Sequence, residues 1–546
     1  VGPGHGGAAP EGWHLPQRPF LLLLILPGAG LLVGWLVQTF APEAEGHGTD
    51  AVISAYHRGR ATIRPRIVPV KLIASMLTIG SGGSAGREGP VAQVGAGFAS
   101  SLARLLRLPT AERRMLVIAG MAAGVGGMFR APLGAALFSI EVLYSENEYE
   151  SEALIPAIIS SIVAYVVGAS LTGWDALFST QVPRFERPAE LVGYLLLGIV
   201  LAAVGVVYVK VFYGMRDHVF RPMRLPTWAK PAVGGLLVAA LALVVPQVMG
   251  GGYGWLQLTL DAKLPLLLLA LLIPAKILAT SFTISSGGSG GVFAPSLVIG
   301  GMTGAVFAEL LARVAPGIAP PVASCVLVGM GGFFAGVAKV PIASLIMVAE
   351  MSGSYTLLVP MMLVCSVAVL LTRGTSIYEA QVPLRIDSPA HLGEFQVDVL
   401  ERLRVRDVMA PEREIVCVDP GMPFDRIVDL VSSSEQEYFP VVNTRGEVEG
   451  MFSVNDVRRV MATPEVWSLL VASDIGVTAS SMAYLEPDDD LHSAVRRFTA
   501  FRLEHLPVLA GPPPAQVVGL LDQTAVMEAY DNEIRRLRAE DEMHTG

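Results

Sequence analysis

The sequence predicts an all-α polytopic membrane protein, a duplicated bundle of broken helices, followed by a smaller α/β domain. Three observations lead there. The first is composition. The chain has 546 residues, 52% hydrophobic and only 16% charged, with a mean hydropathy of +0.54, whereas about a quarter of an ordinary soluble protein is charged. The second is a set of long apolar runs, Pro19 to Phe40, Leu191 to Phe212 and Lys263 to Ile284. Each is close to the roughly 20 residues that span a bilayer. The third is an internal repeat. "SGGSAGREGP" from Ser81 matches "SGGSGGVFAP" from Ser286, and Gly120, Met121, Pro132 and Glu141 match Gly329, Met330, Pro341 and Glu350. Upstream, "LPGAGLLVG" matches "KPAVGGLLVA", and "EGHGTD" falls near "GGGYGW".

The segments follow in order. Residues 1–18 are a Gly- and Pro-rich loop. The membrane domain runs over 19–385, with repeat halves at about 19–185 and 190–385. The second half opens on a spanning segment, Gly193 to Phe212, whose counterpart would precede residue 1. The duplication therefore predicts a helix N-terminal to this sequence. A connector, 386–403, leads to two α/β motifs at 404–462 and 474–531, and an acidic tail at 532–546.

Several apolar segments are too short to span: Met115 to Phe129, Ala131 to Tyr144 and Val340 to Met351, with Gly or Pro at their ends. Interrupted segments in matching positions of two repeats point to an ion site near the bilayer midplane. Irregular backbone at that depth is tolerated only where protein or a water-filled cavity covers it. Helix N-termini aimed at such a site present free N–H groups and the positive end of the helix dipole, which favours an anion.

Composition excludes other classes. The net charge is −9, and no basic patch with interleaved aromatics suggests nucleic acid. Cys325, Cys365 and Cys417 have neither metal nor disulfide spacing. No catalytic constellation stands out, so an enzyme is not expected.

"GREGP" (Gly86 to Pro90) and "GVFAP" (Gly291 to Pro295), with Tyr378 in "SIYEA", resemble the signature positions of the CLC chloride channel/transporter family. The resemblance runs from about Pro19 to Ala380. It implies the inverted-repeat CLC fold, a homodimer in membrane lipid with one anion path per subunit, and chloride as the transported ion. It further implies a bacterial inner-membrane protein with its C-terminal domain in the cytoplasm. Glu88 takes the place of the gating and proton-carrying glutamate: a carboxylate at a helix N-terminus can fill an anion site and vacate it when protonated. Arg87 either draws anions to the entrance or pairs and snorkels. The backbone N–H groups of Val292 and Phe293, approached through Gly291, and the hydroxyl of Tyr378 are expected to hold the anion.

Two departures from the family pattern matter. Where the family has Gly-Ser-Gly-Ile-Pro, this chain reads "GHGTD": Gly46, His47, Gly48, Thr49 and Asp50. Two readings stay open, a His47 imidazole donating to the anion and a Gly-rich turn whose backbone does so while His47 points elsewhere. The second departure lies at the inner proton site. The family's exchangers commonly carry a glutamate there, but Glu141 fills the preceding position and Val142 the position itself. Valine carries no proton, so coupling of chloride to protons is in doubt. Glu146, Glu148 and Glu150 follow closely and leave a water-bridged route open.

The two C-terminal motifs resemble a pair of CBS motifs, each reading strand, helix, then two strands around "FPVV" and "LPVL". Such pairs often bind adenine nucleotides, and Ser453 and Asp456 would contact a ribose or phosphate. The second copy has Ala525 where the aspartate should be, so a purely structural pair is an equal reading. No cofactor is required for transport. A rival from another class is a nucleotide sensor whose membrane part is only an anchor, but an anchor needs no Gly-rich midplane loops.

Overall fold

The computed structural model describes residues 19–178, 185–391, 399–411 and 415–544. The expected loop at 1–18 lies outside them, as does part of the connector. The chain divides into two compact units, 1–390 and 391–546.

The first unit is helical. Its helices are α1 (Leu22–Phe40), α2 (Thr49–His57), α3 (Ile67–Gly80), α4 (Glu88–Leu105), α5 (Thr110–Phe129), α6 (Pro132–Glu141) and α7 (Leu154–Thr172), then α8 (Glu190–Gly214), α9 (Lys230–Val244), α10 (Tyr253–Leu260), α11 (Leu266–Ser285), α12 (Phe293–Val314), α13 (Val322–Ala338), α14 (Pro341–Ser352) and α15 (Leu358–Leu371). The order repeats: α1 to α7 correspond in sequence to α9 to α15. Among the described residues, six stretches are long and apolar enough to cross a membrane: Pro19–Phe40, Ser151–Thr172, Glu190–Phe220, Thr227–Val244, Leu266–Ser285 and Phe293–Val314. Their outward faces are apolar, as at Leu24, Ile155, Leu171 and Leu267, which suits hydrocarbon.

One expected short segment is longer than its sequence suggests. The segment from Met115 is the inner part of α5, which spans 20 residues from Thr110. The polar first turn "TAERR" continues the same helix, since charge at a helix end does not interrupt it. The other two segments are short: α6 has 10 residues and α14 has 12. Proline opens each, where its missing N–H costs nothing.

Small residues let the helices pack closely. Gly95 on α4 faces Gly120 on α5, and their repeat equivalents Gly300 on α12 and Gly329 on α13 face each other in the same way.

The second unit holds β1 (Ala410–Pro411), α16 (Phe424–Ser433), β2 (Tyr438–Val442), β3 (Val448–Ser453), α17 (Val454–Met461), β4 (Val477–Thr478), α18 (Leu491–Phe501), β5 (His505–Leu509), β6 (Val517–Asp522) and α19 (Gln523–His544). The two three-stranded sheets run β1-β6-β5 and β2-β3-β4. Each motif thus lends its first short strand to the sheet of the other, which ties the pair together. The acidic tail is helical over its described residues. As far as His544 it continues α19, because "DNEIRRLRAEDEM" is rich in strong helix formers.

Candidate anion site

The twin Gly-rich loops form the junction between the repeats. The Ser84 N–H donates to the Thr283 hydroxyl (3.0 Å), and its repeat equivalent, the Ser289 N–H, donates to the Thr78 hydroxyl (3.3 Å). Gly86 and Gly291 exchange backbone bonds, 2.7 Å from the Gly86 N–H and 2.5 Å from the Gly291 N–H. This exchange is the local centre of the pseudo-twofold relation. The loop at Gly46 joins them: its N–H donates to the Gly288 carbonyl (3.1 Å), and its carbonyl accepts from the Gly290 N–H (3.2 Å). Three segments far apart in sequence are thereby held edge to edge with little side chain between them.

The junction gathers helix N-termini. α4 begins at Glu88, α12 at Phe293, α2 at Thr49 and α10 at Tyr253. The first N–H groups of any helix lack an intrahelical acceptor and carry its positive dipole end. The amides of Val292 and Phe293 are such groups. Val292 is buried at the N-cap of α12, and the buried Phe293 ring packs on Phe129, Phe138 and Phe334.

Glu88 lies in the middle of this positive field and is 2% exposed. Its Oε1 accepts from the Tyr253 hydroxyl. Its Oε2 packs against Gly86, where an added Cβ would collide with it. The Ala294 nitrogen of α12 lies 3.1 Å from the same Cβ position, and Oε2 has no hydrogen-bond partner among the described residues. The carboxylate therefore sits at the N-termini of two helices, α4 and α12. Arg87 is half-buried at the N-cap of α4, beside it.

His47 is 8% exposed, and its ring lies 5.4 Å from that of Tyr378 and 6.4 Å from that of Phe212. Its Nε2 is 3.5 Å from an Asp50 carboxylate oxygen. The loop meets the junction through backbone, at Gly46 and by the close approach of the His47 carbonyl to Gly89, while His47 Nδ1 is buried without a hydrogen-bond partner among the described residues, so both readings of the loop stand. Gly48 has φ +85°, a conformation glycine adopts without strain.

Tyr378 is buried, with the Thr49 side chain close to its hydroxyl. Its loop is fixed from several sides. The Ile377 N–H donates to the Val337 carbonyl (2.8 Å), the Tyr213 hydroxyl to the Ile377 carbonyl (2.6 Å) and the Ala380 N–H to Asp50 (3.0 Å). Gln381 Nε2 reaches the carbonyls of Val142, Tyr144 and Ala338. Asp50, which replaces a proline of the pattern, is thus an anchor for the tyrosine loop.

Val142 is fully buried at the C-cap of α6. Its neighbour Glu141 accepts from the Ile342 N–H (3.1 Å) and the Ala343 N–H (2.7 Å), so it caps α14. The repeat equivalent Glu350 accepts from the Leu133 and Gly134 N–H groups (3.2 and 2.8 Å) and caps α6. The two helices lie antiparallel, each closed by a carboxylate of the other. Replacing Glu350 with alanine leaves two helix-start amides without their acceptor, and is expected to cost about 1–3 kcal/mol. Thermal unfolding in detergent checks this. An unchanged midpoint would remove the capping role.

The trailing glutamates have separate surroundings. Glu150 is buried and accepts from the Tyr144 hydroxyl. Glu148 accepts from the Arg385 N–H and, with Glu141 and Cys365, lines a cavity of about 260 Å³. Glu146 lines a second cavity of about 300 Å³ together with Lys339, Arg373 and Tyr378.

In the second unit, Ser453 and Asp456 are bound to one another. The Ser453 hydroxyl accepts from the Asp456 N–H (3.2 Å) and the Asp456 carboxylate accepts from the Ser453 N–H (2.9 Å), the two ends of a capping box on α17, and the hydroxyl also donates to that carboxylate (2.7 Å). In the other copy Asp522 stands at that turn and accepts from the Thr524 N–H (2.6 Å).

Sequence reasoning missed Tyr253, Thr49 and the role of Asp50. "GGGYGW" was visible as the twin of "EGHGTD", but only the fold brings α10 to Glu88.

The profile of the voltage gated chloride channel family matches residues 29–373, and that of the CBS domain matches residues 405–463. The H(+)/Cl(-) exchange transporter ClcA of Cronobacter sakazakii is 31% identical over 365 residues, 66% of this chain and 78% of that protein. A putative chloride channel protein, ClcB-like, of Ralstonia nicotianae is 32% identical over 355 residues, 64% of this chain and 81% of its own length. Among solved structures, a CLC-type fluoride/proton antiporter aligns with a TM-score of 0.60 at 26% identity, over 66% of this chain and 89% of its own. A eukaryotic CLC transporter aligns with a TM-score of 0.55 at 20% identity, over 93% of this chain and 90% of its own, a likeness of fold.

Proposed function

The chain belongs to the voltage gated chloride channel family, with a C-terminal CBS pair, and on that premise we propose that it moves chloride across a bacterial plasma membrane along a path gated by Glu88. One observation carries the reading: the buried Glu88 carboxylate lies at the N-termini of α4 and α12, held by the Tyr253 hydroxyl, with Arg87 the adjacent cation. A negative side chain held by amide dipoles marks a place that a free anion can take. Val292, Phe293, Tyr378 and the Gly46–Gly48 loop line the path beside it. The homodimer, the bacterial membrane and the cytoplasmic placement of the C-terminal unit are inferred from the family relationship.

Proton coupling is the finer question. Val142 cannot carry a proton, and Glu141 beside it is engaged in capping α14. We therefore favour chloride movement without strict coupling. The second reading, an exchanger with another proton route, has one observation of its own: Glu141 and Glu148 line the same cavity. Reconstitution under opposed chloride and proton gradients separates the two. Uncoupled movement predicts a reversal potential at the chloride value for every proton gradient. A reversal potential that moves with the proton gradient would establish the exchanger instead.

An adenine nucleotide in the C-terminal unit gains no support from this geometry, since Ser453 and Asp456 already satisfy each other.

A further inference from the structure

The two repeats share a device that the signature loops do not contain. Lys71 on α3 is fully buried, and its Nζ donates to the Ala44 carbonyl (3.0 Å) and the Gly46 carbonyl (2.7 Å). Its repeat equivalent, Lys276 on α11, is 1% exposed and donates to the Val248 carbonyl (2.8 Å) and the Gly250 carbonyl (2.6 Å). Each lysine thus clamps the turn that leads into a short helix, α2 or α10. The first residue of each short helix then directs a hydroxyl at a group of the anion path. In the first repeat Thr49 stands beside the Tyr378 hydroxyl. In the second, Tyr253 bonds Glu88.

We propose that Tyr253 is a positioning residue for the Glu88 gate, a latch that holds the carboxylate in the anion's place and releases it on protonation. This rests on the reading of Glu88 as the gate. The bond is directional. A phenol O–H donates most strongly to a charged carboxylate, and such charge-assisted bonds are about twice as strong as neutral ones. Protonation removes that advantage, so the latch favours the charged, site-filling state. The ring is held for this purpose. Gly252, with φ +88°, turns the chain into α10, Phe178 packs with its ring centroid 6.0 Å from that of Tyr253, and Phe178 is itself fixed by its N–H bond to the Met351 carbonyl (3.0 Å). Among the described residues, the titratable and charged groups facing Glu88 are Arg87 from its own turn, Tyr253 from α10 and Tyr378 from the loop after α15. The α12 N-terminus adds only amides. Tyr253 is the one that touches the carboxylate.

The test compares chloride efflux from liposomes between pH 4.5 and 8 for the wild type, Y253F, E88A and the double variant. Y253F removes a single oxygen and keeps the ring packing. It is expected to move the acid-activation midpoint upward by roughly one pH unit, the tenfold change that losing a hydrogen bond to a charged group brings. E88A should be flat with pH, and adding Y253F to it should change nothing. A Y253F profile equal to the wild type, beside a flat E88A, overturns the latch and leaves the gate standing. A pH-dependent E88A overturns the gate and the latch with it. An equal effect of Y253F in both backgrounds shows that Tyr253 acts on the anion directly, and overturns the proposal.

Discussion

Replacing Glu88 with alanine is expected to raise chloride efflux at neutral pH by roughly ten- to a hundredfold and to abolish its dependence on pH. On the proposed gating, the side chain, buried at the N-termini of α4 and α12, occupies the anion's place. A bound state favoured by about 1.5–3 kcal/mol, as for hydrogen bonds to charged groups, keeps the site closed for all but a small fraction of the time. Removing the occupant removes that equilibrium. Alanine also takes away the carboxylate packed against Gly86, the group whose protonation the gating reading makes the opening step. The check is ion-selective-electrode efflux from liposomes across that range. An efflux that stays low at pH 7.5 would mean that the barrier lies elsewhere.

The second large effect is expected at Gly89, in the first turn of α4. A Cβ there would collide with the His47 carbonyl oxygen and sit 3.2 Å from the Gly291 Cα. Both neighbours are backbone, and both belong to the loops that form the junction, so no side chain can move aside. Overpacking of this kind typically costs 1–3 kcal/mol, and more where rigid backbone must shift. Gly89→Ala is therefore expected to lose transport altogether and to unfold several degrees earlier. Gly28 supplies the control: a Cβ there meets nothing within 4 Å, and Gly28→Ala within α1 should leave both properties intact or raise stability slightly. Equal behaviour of the two variants in a thermal melt would show that the loops are not in tight register.

Much of this was legible in the sequence. The repeat, the short interrupted segments and the Gly-rich twins are local patterns, and they led to the helix order and to Glu88, Val292, Phe293 and Tyr378. Reciprocal relations were not legible. That Glu141 and Glu350 cap each other's repeat depends on α6 and α14 lying antiparallel, a fact of packing. Asp50 read as a departure from a motif, yet it holds the tyrosine loop through the Ala380 N–H. Tyr253 drew no attention because an aromatic after a Gly-rich turn near a membrane reads as ordinary packing. α5 was underestimated because apolar runs show where a helix meets lipid or core, not where it begins. The extent of α19 was missed for the converse reason: charged residues marked a tail, while their helix propensity set its form.

The central claim is that Glu88 stands in for the transported anion. Crystals of the Glu88→Ala variant soaked in bromide test it most directly, because bromide is located by its own anomalous scattering. The account predicts a bromide peak between Gly86 and the Ala294 amide in the variant, and none there in the wild type at neutral pH. A variant with that position empty, or a wild type with bromide already beside the carboxylate, would contradict it.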